Sequence, residues 1–207
     1  MMTRRARRLL VAVPLVLVAT ITTSTPLGAT PPGNLPQTPI EPSFTIGLTS
    51  QMRTLWQAIS VDSPTIGERV FFPREAYLRM KQGQIVNPAT DYSNRLIALF
   101  NLDIAAYHRL MTTGVHAHFE RVVTSRADAA WIAPGTCENR IGYWHLPGVR
   151  LVFTRGRHVE SVAVASLISW RGVWYVVHLG PNPRPANIGT VDGYRSGPGM
   201  PGPAGGC

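Results

Sequence analysis

Three sets of residues have the types and spacing to do chemistry. The first is centred on Asp103, which falls seven residues after Leu96 and four before Tyr107, on the apolar stripe of a long helical stretch. A carboxylate in such a stripe needs a partner or a raised pKa. It could pair with an Arg, or accept from a Tyr or Trp, and so fasten helix to sheet. It could instead line a pocket with Tyr107 and His178 and act as a general base or ligand anchor. The pairing role is the simpler one, because structural ion pairs also perturb carboxylates. The second set is the pair Cys137 and Cys207. In an oxidising compartment an even pair favours a disulfide. It would close a loop of about 70 residues and contribute on the order of 4 kcal/mol by chain entropy; an intermolecular bridge is the alternative. A rival role makes Cys137 a nucleophile with His145 or His178 as base and Asn182 beyond it. No local signature surrounds Cys137, and a disulfide would consume the thiol. The third set is six histidines: His108, His116, His118, His145, His158 and His178. None falls at a zinc-binding spacing, so neither a metal nor a cofactor is expected. Tyr143, Trp144 and His145, followed by Pro147 and Gly148, read as a packed turn. Exposed, they would offer an aromatic surface to a glycan or peptide.

The elements that must position these residues fall in two blocks. The first is helical. Ser50 can cap a helix carrying Met52, Leu55, Trp56 and Ile59 on one face, ended by Ser63-Pro64. A short helix is expected from Pro73 through Met80, stopped by Gly83. The strongest helix is expected to start at Thr90 or Asp91 and to end before Gly114, with Leu96, Leu99, Phe100, Tyr107, Leu110 and Met111 along one stripe. The second block reads as strands over 119–124, 129–133, 149–154, 159–170 and 173–179. Arg155-Gly156 and Arg171-Gly172 mark hairpin turns. A two-residue turn at Arg171-Gly172 pairs Trp170 with Val173, Ile168 with Tyr175 and Ser166 with Val177. One face then holds Val162, Val164, Ile168, Trp170, Val173, Tyr175, Val177 and Leu179, and must be covered by helices. The other holds Ala163, Ala165, Leu167, Trp174, Val176 and His178. It is apolar enough to call for a second layer, a ligand or a second copy of the chain, so a homodimer is possible.

Arg4, Arg5, Arg7 and Arg8 precede an apolar run, Leu9–Ile21, and Leu27-Gly28-Ala29 offers a cleavage site. That is the pattern of a signal peptide over residues 1–29, with an uncleaved anchor as the alternative. Thirteen residues are short for a membrane span, which needs roughly 20, so no membrane association is expected after cleavage. The chain has 207 residues and a net charge of +9. The four leader arginines supply part of that charge, and the remaining charges are scattered. Neither a basic stripe nor a stacking platform stands out, so no nucleic acid is expected as partner. Residues 30–42, rich in Pro, read as a linker. Residues 181–207 hold six Pro and seven Gly and read as a loop-like tail. Between them lies a single domain, 43–180, of class α+β, with helices packed on a curved antiparallel sheet in the cone shape of NTF2-like or cystatin-like domains.

Cys137-Glu138-Asn139, Gly142-Tyr143-Trp144-His145, Ser166-Leu167-Ile168-Ser169-Trp170-Arg171-Gly172 and Trp174-Tyr175-Val176-Val177-His178-Leu179-Gly180 resemble a group of secreted actinobacterial proteins of unknown function. That resemblance implies an exported or envelope-associated domain and brings no catalytic residue with it. Two readings follow. The favoured one is a secreted or cell-envelope protein, probing an envelope component or a small ligand without doing chemistry on it. The alternative is a small-pocket enzyme using Asp103 with a His, or Cys137 as nucleophile.

Overall fold

The computed structural model describes residues 29–184 and 186–202. Helix α1 (Ile46–Ser60) is followed by the short α2 (Pro64–Gly67), α3 (Arg74–Met80) and α4 (Pro88–Asp91). A π-helical turn over Tyr92–Leu96 then leads into the long α5 (Ile97–Thr112). Strands β1 (Ala117–Val123), β2 (Ala130–Ile132), β3 (Tyr143–Arg155), β4 (His158–Trp170), β5 (Val173–His178) and β6 (Arg195–Ser196) form one antiparallel sheet. The fold is α+β, with helices on a curved, unclosed sheet. The hairpin of β3 and β4, each 13 residues long, is its spine. Strands β1 and β2 share the outer edge of β3, while β5 and β6 share that of β4.

Two of the helices start earlier than their capping signals suggest, while the short α3 starts at Arg74 with Pro73 just outside it as the N-cap. The first begins at Ile46 rather than after Ser50, and Ser63 caps α2, accepting from the Ile66 amide. The long helical run begins at Pro88, with Asn87 accepting from the Thr90 amide. Proline at the first helical position costs no hydrogen bond there, so Asn87-Pro88 outcompetes the cap expected at Thr90 or Asp91. The stripe of α5 is buried as its spacing demands: Leu99, Phe100, Ile104, Tyr107 and Met111 all face the core.

The hairpin register holds where the turn dictates it. Trp170 pairs with Val173 and Ile168 with Tyr175. It breaks two residues further on, where Ser166 faces His178 and not Val177. One extra residue on β5 makes a bulge, and the period of two is lost. His178 is thereby turned onto the side of the sheet that carries Ser166.

The described residues of the Pro-rich segments at both ends of the expected domain, 30–42 and 181–202 apart from 185, are packed parts of the body. On the N-terminal side, the Trp170 indole donates to the Pro32 carbonyl at 2.9 Å and the Trp144 indole to Pro39 at 3.0 Å. Gln37 bonds the Ser169 carbonyl at 2.9 Å and accepts from the Arg171 amide at 2.6 Å. On the C-terminal side, Asp192 accepts from the Ala163 amide, β6 pairs with Glu160 and Ser161, and Gly202 bonds Gly148. A proline-rich chain cannot form its own ladder, but it can lend carbonyls to side chains and amides on a neighbouring sheet. The second apolar sheet face is consequently covered from within. Leu167, Trp174 and Val176 are buried, with Phe44 edge-on to Trp174 at 5.6 Å and Gln51 of α1 reaching the Trp174 carbonyl. Ala165 and His178, from the same set, are half-buried. No helix among the described residues is long and apolar enough to cross a membrane.

Candidate functional site

Asp103 and Tyr107 do not share a pocket with His178. Asp103 is 1% exposed and forms an ion pair with Arg184, itself 5% exposed, at 2.6 Å. Its two oxygens also accept from the Gly180 amide at 2.9 Å, the Thr190 amide at 3.0 Å and the second Arg184 nitrogen at 2.8 Å. Gly180 is required here, since a Cβ would lie 2.8 Å from both carboxylate oxygens. Tyr107 is equally enclosed. Its hydroxyl lies 2.6 Å from the Ala163 carbonyl and 3.0 Å from that of Leu179, and it accepts from the Asp192 amide at 2.9 Å. Burial holds the Tyr107 phenol well above its ordinary pKa. Together these two residues weld α5, the end of β5 and the Pro/Gly-rich segment into one unit, a structural role.

His178 lies in a cavity of about 550 Å³ between a helical wall and a sheet wall. The helical wall is built by Tyr77, Met80 and Lys81 at the end of α3 and by Arg95 and Leu96 in the π-helical turn. The turn closes with the Ile97 amide on the Tyr92 carbonyl, five residues back. Such single π turns recur at functional sites. The sheet wall carries Tyr143, His145, Ser166, Ile168, Val177 and His178, and a loop supplies Cys137, Glu138 and Asn139. Cys137 and Glu138 both adopt left-handed backbone, at φ 55° and 57°. Consecutive non-glycine residues in that region are uncommon and are held by their surroundings. The hold is visible: Gln82 donates its amide to the Glu138 carbonyl and Arg140 donates its amide to Met80, both at 2.8 Å. The Arg140 guanidinium also grips the Lys81 carbonyl, at 2.9 and 3.2 Å. The loop therefore staples the end of α3 and fixes the Lys81 backbone.

The charges in this cavity are distributed unevenly. Arg95 is committed to Asp91 through two parallel bonds of 2.6 Å, and the Tyr77 hydroxyl donates to the same carboxylate. Burial opposes the Asp91 charge, but the bonds from Arg95 and Tyr77 outweigh it and hold the carboxyl below its usual range. Lys81 has no such partner. No ion pair within 4 Å is formed by it among the described residues, and its ammonium lies 5.4 Å from the centre of the Tyr77 ring. Burial lowers its pKa; the Glu138 charge works the other way, and Arg95 adds to the lowering. His178 is pushed down to about 3 by burial, then by the positive charges of Arg95, Arg184 and Lys81 and by His145. It is thus neutral at physiological pH, and its Nε2 accepts from the Asn182 amide nitrogen at 3.3 Å. On the same sheet face His145 Nε2 and Ser166 Oγ are 2.8 Å apart, as diagonal neighbours on β3 and β4.

Sequence reasoning found His178, and weighed Cys137 and His145, but missed Lys81, Arg95 and Ser166. One signal was available: Lys81 is the single lysine of the chain. Cys137 lines the cavity and is not a free thiol, while Cys207, its expected partner, lies outside the described residues. No group of three or more His, Cys, Asp or Glu among the described residues could hold a metal ion. Trp131 and Trp144 meet edge to face at 5.8 Å, with Trp131 exposed and Trp144 half-buried. Tyr143 and His145 face the cavity instead. No family model, curated protein or solved structure matches the chain.

Proposed function

We propose that the chain is an exported, non-catalytic binding domain that takes up a small ligand between its helical wall and its sheet. The observation that carries this reading is the cavity itself. At about 550 Å³ it falls in the size range of small-ligand sites, which are mostly apolar with a few convergent polar groups. Met80, Leu96, Ile168 and Val177 supply the apolar part; Lys81, His178, Asn182 and Tyr143 supply polar groups. The Asp103 branch of the enzymatic alternative loses support, because that carboxylate is sealed against Arg184. Binding is tested with a neutral environment-sensitive dye such as Nile red and the Ala165→Trp variant, which places a large ring at the cavity lining. A saturable one-to-one fluorescence rise that Ala165→Trp abolishes supports the reading. No saturable rise, or one unchanged by Ala165→Trp, overturns it.

A second reading rests on the contact of Ser166 Oγ with His145 Nε2, which suits a nucleophile and its base. A fluorophosphonate that labels wild type but not Ser166→Ala would support an acyl-transfer enzyme. Export belongs to the same proposal. It rests on the leader pattern of residues 1–29, nearly all outside the described residues, and on the resemblance to secreted actinobacterial proteins. Protein recovered outside an actinobacterial host with its N-terminus at Thr30 supports it, and full-length protein held in the cytoplasm contradicts it. The Cys137–Cys207 bridge is proposed with it and predicts no titratable thiol in the unreduced protein.

A further inference from the structure

Resting on that binding reading, we infer that the ligand is a monoanion with an aliphatic body, a medium-chain carboxylate, whose charge is met by the Lys81 ammonium. The charged groups of the cavity differ in how far they are already answered. Arg95 already holds a carboxylate through both of its facing nitrogens. His178 is neutral and offers a hydrogen bond without a charge. That leaves Lys81, half-buried in the wall, without an ion pair among the described residues, and with its backbone clamped by Arg140. No carboxylate lies within 4 Å of this half-buried lysine among the described residues, so a ligand carboxylate at ion-pair distance would add a charge-assisted hydrogen bond that the fold does not supply. One uncommitted cation suits one negative charge; a phosphate dianion would need a second. An alkylammonium would be repelled by Lys81 and would find only Glu138 as an acid in the lining. Glu138 is the internal competitor: it lines the same cavity and its charge already reaches Lys81. The apolar remainder of the wall, Met80, Leu96, Ile168 and Val177, suits methylene groups better than sugar hydroxyls.

The test is calorimetric titration of the purified full chain with decanoate, decanol, decyl phosphate and decylammonium, each below its micelle concentration. Wild type is expected to bind decanoate at least tenfold more tightly than decanol, and decyl phosphate no more tightly than decanoate. Decylammonium is expected to be the weakest of the four. Lys81→Gln, checked for folding by circular dichroism, should bring decanoate to the level of decanol. Glu138→Gln should tighten decanoate several-fold by removing the competing acid. Equal binding of decanoate and decanol by wild type, or undiminished decanoate binding by Lys81→Gln, overturns the inference while leaving a ligand cavity in place. If none of the four binds, the binding reading falls with it.

Discussion

Two polar clusters, one around Asp103 on α5 and one around Lys81 at the end of α3, are built on opposite principles. Around Asp103 every hydrogen-bonding site is filled. Arg184 answers the charge, backbone amides from Gly180 and Thr190 complete the shell, and the ion pair is closed to water. Around Lys81 the backbone is fixed just as firmly, yet the ammonium has no ion pair within reach among the described residues and faces a cavity. A satisfied buried network rigidifies the body that contains it. A half-buried ammonium in a partly open cavity, with Glu138 on the same lining but outside ion-pair distance, leaves room for a partner from outside the fold. The buried carboxylate drew attention in the sequence, but the chemistry points to the lysine.

The contrast is broken most severely at Asp103. Asp103→Ala should leave Arg184 buried without its counter-charge and cost about 3–5 kcal/mol, measured by urea denaturation. A cost below about 1 kcal/mol would mean that Arg184 finds water or another acceptor, as a loosely attached segment would allow. The acid limb of the stability curve reads the cavity side. His178 is neutral when folded, with a pKa near 3 against an ordinary value of 6.5. Between pH 6.5 and 3 the unfolded chain takes up a proton that the folded chain refuses, so stability must fall across that window as pH drops. Below pH 3 both states are protonated and this contribution levels off. His178→Gln should flatten that part of the curve, and an unaltered slope would place the imidazole in contact with water. A smaller effect is expected at Gly189, where a Cβ would overlap the Leu102 carbonyl. Gly189→Ala should lift the segment that supplies Thr190 to Asp103, at about 1–3 kcal/mol. The smallest effect is expected for Lys81→Gln, within about 0.5 kcal/mol of wild type.

Periodicity and turn chemistry made much of the frame legible. The α5 stripe, the Arg171-Gly172 turn and the registers of Trp170 and Ile168 follow from residue spacing alone. Three features did not, each for a physical reason. The β5 bulge that turns His178 toward Ser166 is a one-residue insertion with no compositional mark. The segments around Pro32–Pro39 and Ile188–Ser196 look like linkers because they lack a hydrophobic period and are broken by Pro or Gly, yet their carbonyls and amides are used by Trp170, Trp144, Asp103 and Ala163. The cavity assembles Lys81, Arg95 and His178 from three elements far apart in sequence, and no local pattern encodes that meeting. Asp103 was recognisable as a buried carboxylate, but its arginine came from the tail, where a partner was least expected.

The account is tested most directly by the shift in melting temperature that decanoate causes in wild type, Asp103→Asn and Lys81→Gln. A ligand that binds only the folded state raises the melting temperature with its concentration. The predicted outcome is crossed: Asp103→Asn melts earlier but keeps the decanoate-induced rise, whereas Lys81→Gln melts near wild type and loses it. A rise that survives in Lys81→Gln, or vanishes in folded Asp103→Asn, would contradict the division between a closed weld and an open binding cavity.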